Sequence, residues 1–118
     1  MEVIEVVVTL SDIVIDRTKV STYTVPTDFP ESDGTLQWNS TTLVLVHATV
    51  AIKLVWGCTF ADTATAVLIR DRLSKTVEGH NAVSPAASWN AMAARTRNLG
   101  RPGIVSMAIS AVDIALWI

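Results

Sequence analysis

Apolar and polar residues alternate along the first half of the chain and recur at helical spacing along the second. Met1 to Leu10 is rich in valine and isoleucine, which favour a pleated surface. Ser11-Asp12 supplies turn chemistry, and Ile13 to Val25 resumes an extended pattern. From Pro26 to Trp38 the alternation breaks, with Pro26, Pro30 and Asp33-Gly34 as punctuation. This predicts a long irregular surface loop over 25–38, of the kind that carries binding residues. Thr41 to Trp56 alternates again. Its even positions (Val44, Val46, Ala48, Val50, Ile52, Leu54, Trp56) are all apolar, while Leu43 and Leu45 mix with His47, Thr49 and Lys53 on the odd ones. That predicts a half-buried strand, longer than the usual limit of about ten residues.

Three helices follow in the pattern. Asp62 or Thr63 caps a first helix running to about Glu78, with Gly79 as its stop. Val67, Leu68, Leu73 and Val77 give it an apolar stripe, and Arg70, Asp71, Arg72 and Lys75 face water. Pro85 suits the first turn of a second helix, which carries Trp89, Met92 and Ala93 inward and ends near Gly100. Pro102-Gly103 opens a third, apolar on nearly every side from Ile104 to Trp117, which predicts deep burial. The order of strands then helices indicates an α+β fold. The chain stops inside the last pattern at Ile118 without a glycine or polar cap, which reads as truncation or redesign.

Composition narrows the function classes. The 118 residues fit a single domain, and with 50% apolar and 17% charged residues a disordered tail is excluded. The mean hydropathy of +0.42 is high for so small a domain and predicts apolar surface that something else covers. A formal net charge of −2 offers no clustered basic surface for nucleic acid. No apolar run reaches the roughly 20 residues of a membrane span. Glu2 and Glu5 stand where a signal peptide carries positive charge, and Cys58 is the lone cysteine, so a cytoplasmic setting is expected.

Little in the sequence suggests chemistry of its own. His47 and His80 lack an accompanying carboxylate pattern for metal, and the serines lack a nucleophile elbow. Gly100-Arg-Pro-Gly103 reads as a plain helix start rather than an anion site. Asp113, inside the apolar third helix, reads as a buried carboxylate held by a donor such as an arginine. No catalytic residue, metal ligand or cofactor is assigned.

The segment from Asn98-Leu-Gly-Arg-Pro-Gly through Ala111-Val-Asp-Ile-Ala-Leu-Trp117 resembles the end of the capping domain in mandelate racemase and muconate lactonizing enzyme relatives, within the enolase superfamily. Tyr23-Thr-Val-Pro-Thr-Asp28 through Asp33-Gly34-Thr35 is similar to that family's first specificity loop, and Thr59-Phe-Ala-Asp62 to the segment after its second. The resemblance covers about residues 13 to 117. It implies a three-stranded antiparallel meander packed on a small helical bundle, within one capping-type domain over 1–118. The strand region is then 13–60, with the specificity-type loop over 25–38, and the helices are 61–118. As a departure from the family, the valine-rich start reads as an additional strand over 1–12 that would cover a sheet edge.

In the family this domain closes over a (β/α) barrel that supplies the magnesium ligands and the bases. The resemblance therefore implies no catalysis and no cofactor for this chain alone. Through its first loop it implies substrate-lid residues Asp28, Glu31, Asp33 and Trp38, whose plainer reading is ordinary solvated loop. The chain departs from the family after His47-Ala48-Thr49, where a glycine-rich turn is replaced by Val50-Ala-Ile-Lys-Leu-Val-Trp56. β-Branched residues resist the positive φ of a tight hairpin. Leu43 to Trp56 as one continuous strand would then pair with another chain through Val50, Ile52, Leu54 and Trp56, giving a homo-oligomer such as a strand-swapped dimer. The alternative is a hairpin with an unusual turn near Lys53. These departures favour an engineered or degenerate capping domain acting as a structural, self-assembling module over a working lid fragment.

Overall fold

The structure is a computed structural model that describes residues 13–117. The additional strand expected over 1–12, and Ile118, lie outside the described residues. Three antiparallel strands, β1 (Ile15–Ser32), β2 (Gln37–Val50) and β3 (Lys53–Phe60), form one sheet in the order β1-β2-β3. Behind it lie α1 (Thr63–Leu68), a π-helical turn over Ile69–Leu73, α2 (Ser74–Val77), α3 (Pro85–Arg95) and α4 (Ile104–Leu116). The fold is α+β, a meander followed by helices, as the sequence pattern and the resemblance imply.

The core lies between the inner face of the sheet and the helices. Ile15, Val44, Val46, Ala48, Val50 and Val55 meet Ile69, Leu73, Met92, Val105, Ala108, Ile109, Val112 and Leu116 there. Helix α4 is the helix that β3 packs on most closely. At Gly57 an added Cβ would lie 2.7 Å from the backbone nitrogen of Ala115 and collide with the carbonyl oxygen of Ala111. Only glycine permits that approach.

A second tie joins the start of β1 to the loop after α2. Ile15 N donates to His80 O (3.0 Å) and Gly79 N to Ile15 O (2.7 Å), while the Thr18 amide and hydroxyl both reach Glu78 Oε1 at 2.9 Å.

Four expectations are corrected. The region 25–38 is not an irregular loop, since β1 runs on to Ser32 and β2 begins at Gln37, leaving Asp33–Leu36 as the turn. Pro26 and Pro30 are tolerated because β1 lies at the edge of the sheet among the described residues and Thr27 to Pro30 bulge out opposite Asn39, between the pairs Pro26–Ser40 and Glu31–Trp38. Leu43 to Trp56 is not one strand within this chain. It reverses after Val50 through Ala51 and Ile52, pairing Val50 with Lys53, and Ala51 takes the left-handed conformation at φ 56° that the missing glycine would have taken.

In the first helix the apolar stripe is shifted at one position. Leu68, Leu73 and Val77 pack inward as expected, but Val67 is 45% exposed and Ile69 is fully buried in its place. Asp62 does cap this helix, accepting from Ala64 N at 2.8 Å. Helix α3 buries Ser88 and Met92, leaves Trp89 exposed on its flank and ends at Arg95 rather than near Gly100.

Candidate functional site

Beyond the helices, β1 and β2 continue as a two-stranded arm, which draws the described residues out to 71 × 34 × 20 Å. At about 3.3 Å per residue along its shorter strand, Gln37 to Thr41, the paired part of the arm reaches roughly 15 Å past the core. The arm ends in a turn built by Asp33. Its Oδ1 accepts from Thr35 N and Leu36 N, both at 2.9 Å, and its own amide donates to Leu36 O at 3.2 Å. These backbone amides hold the Asp33 carboxyl below the usual carboxylate range, Leu36 contributing most.

Of the lid residues implied by the resemblance, the structure brings Glu31 and Trp38 together. They face each other across the arm, and Trp38 Nε1 donates to Glu31 Oε2 at 3.0 Å. One carboxylate oxygen, Oε1, is left free of that bond. Asp33 is occupied by its turn, so its carboxylate shapes the tip and is not a free contact group. Asp28 sits in the bulge, exposed and apart from the other three. A shallow recess beside the pair is lined by Pro30, Gln37, Trp38 and Asn39.

Sequence reasoning missed Phe29 and Leu36, exposed at 78% and 69% on the same arm. Their signal was large apolar side chains inside an otherwise polar, proline-punctuated segment.

The expected assembly residues fall on two different faces. Val50 points into the core, Leu54 and Trp56 point outward, and Ile52 stands in the turn. The ring of Trp56 lies 4.3 Å from that of its cross-strand neighbour His47. Asp113, expected as a buried carboxylate with a partner such as arginine, is half-buried and accepts instead from Trp117 Nε1 at 3.2 Å. Among the described residues no three of His, Cys, Asp or Glu come close enough to hold a metal. No helix among them is long and apolar enough to cross a membrane.

No family model matches the chain, and no curated protein matches it. Solved structures do. A mandelate racemase/muconate lactonizing enzyme-like protein from Rubrobacter xylanophilus is 51% identical with a TM-score of 0.85, over 88% of this chain and 29% of that one. A racemase from Streptomyces coelicolor A3(2) with bound magnesium is 28% identical with a TM-score of 0.84, over 88% and 31%. An enolase from Bradyrhizobium complexed with magnesium and mandelic acid is 26% identical with a TM-score of 0.74, over 89% and 30%. The chain thus spans about a third of the length of these relatives. In fold and in sequence it matches the N-terminal capping domain of the enolase superfamily, of the mandelate racemase/muconate lactonizing enzyme type.

Proposed function

We propose that this chain is a substrate-selecting lid, whose arm closes over the mouth of a (β/α) barrel that carries the catalytic groups. The observation that carries this reading is the arm itself. It projects beyond the core, pairs Glu31 with Trp38 near its tip, and exposes Phe29 and Leu36. Large apolar side chains at the end of an exposed hairpin need a surface to pack on. Packing there would exclude water from whatever lies beneath.

The recess beside Trp38 offers an aromatic body with a carboxylate acceptor next to it. Glu31 Oε1 suits a substrate hydroxyl better than a substrate carboxylate, because like charges repel. The substrate class is therefore a hydroxylated carboxylic acid, with its hydroxyls toward the arm and its carboxylate toward the barrel. By itself the chain selects and shields, and it performs no turnover.

The test grafts Val25 to Trp38 onto the Streptomyces coelicolor racemase in place of its matching arm. A change of about tenfold in relative KM between polyhydroxylated and sparsely hydroxylated acids, with kcat little changed, is the expected result. The additional change Glu31→Gln should reverse most of it. An unchanged preference overturns the reading, as does magnesium-dependent turnover of such acids by the isolated chain.

A further inference from the structure

We propose that the outer face of the sheet is a self-association surface, which packs against the same face of a second copy of this chain. The cross-strand register sets out that face in rows: Arg17–Thr49–Leu54, Lys19–His47–Trp56, Ser21–Leu45–Cys58 and Tyr23–Leu43–Phe60. Every outward position of β3 is Leu, Trp, Cys or Phe, and the last row is apolar from edge to edge. Trp56 is 55% exposed and Phe60 62%, with Tyr23, Leu54 and Val25 also open to solvent.

The size of the patch argues for a protein partner. Aromatic side chains each offer about 150–250 Å². At the observed exposures these five residues leave roughly 550 Å² of apolar surface on the face itself, and Ile52 at the adjoining turn extends it. A typical monomer's largest patch is about 300–600 Å², and a stable interface needs about 800 Å² from each partner.

The arrangement argues for a second copy. With a two-fold axis parallel to β3, the apolar rows of two sheets stack on each other. The charged residues of this face, Arg17 and Lys19, then fall at opposite rims, solvated and far from their counterparts. All the helices lie on the inner side, with α4 against Gly57, so a domain joined after Trp117 starts on the other side of the sheet. The lid reading is independent of this one, since the arm tip and the outer face are separate surfaces.

The test is solution mass by light scattering over a wide concentration range. The expected mass is twice the 12.7 kDa of the chain, returning to a single chain in both Trp56→Glu and Phe60→Glu. Ile114→Glu, exposed on the helix side, should leave the dimer intact. Circular dichroism of each variant confirms that it is folded. Cys58 supplies a second readout in the unaltered protein: its reaction with a maleimide should slow several-fold as the dimer forms, and a bulky adduct there should block association. A monomer at every concentration overturns the proposal. So does a dimer that survives both glutamate variants with unchanged Cys58 reactivity, the behaviour expected of strand exchange.

Discussion

Gly57 and Ala51 are the two residues whose backbone settles how the sheet meets the helices and how it turns. A Cβ at Gly57 collides with the α4 backbone, and neither a strand nor a packed helix can yield locally. Gly57→Ala should therefore cost about 3 kcal/mol, read as a lower urea midpoint with an unchanged slope. A cost below about 1 kcal/mol would mean that α4 sits further from β3 than described. Ala51 holds φ 56° against the preference of any L-residue. Ala51→Gly should stabilise by about 0.5–1 kcal/mol, the relief from strain exceeding the extra unfolded-state entropy of glycine. A loss of stability would show that the turn is not strained.

Among the elements, the arm closes on a turn in which the Asp33 side chain accepts two backbone amides. The Asp33 pKa is depressed in the folded hairpin by the amides of Leu36 and Thr35. A depressed carboxylate pKa contributes order that is fully present above the unfolded value of about 3.8 and is lost as pH falls through the lower folded value. The amide resonances of Thr35 and Leu36 should hold their positions down to about pH 4 and move together below it. Asp33→Asn should retain the tip but abolish that titration. Titration centred above pH 4 would contradict the turn geometry.

That this segment forms strands at all was not legible in the sequence. Two prolines and Asp33-Gly34 look like loop chemistry, and only the pairing of Glu31 with Trp38 and of Ser32 with Gln37 makes it a hairpin. The π turn over Ile69–Leu73 was equally hidden, because no proline or glycine announces it.

For the molecule as a whole, core and arm are separable. None of the core residues lies between Pro26 and Gln37, and that segment is exposed almost throughout. Replacing Pro26 to Gln37 by a short turn should change unfolding free energy by less than about 1 kcal/mol. Calorimetry of the shortened chain checks this, and a much larger loss would mean that the arm supports the core.

The sequence by itself determined the strand-then-helix order, the apolar last helix and the stop at Gly79, because periodicity and capping are local. Its closing segment also carried the resemblance to the capping domain. Which face each side chain occupies was left to tertiary structure. The even positions from Val44 to Trp56 form one unbroken apolar series, and on a single strand they would share one face. The turn at Ala51-Ile52 instead pairs Val50 with Lys53, an even residue with an odd one. Parity therefore inverts across the hairpin. Val44 to Val50 enter the core, while Leu54 and Trp56 emerge on the outer face. A periodic pattern records that side chains alternate, and the geometry of one turn decides which of them meet water.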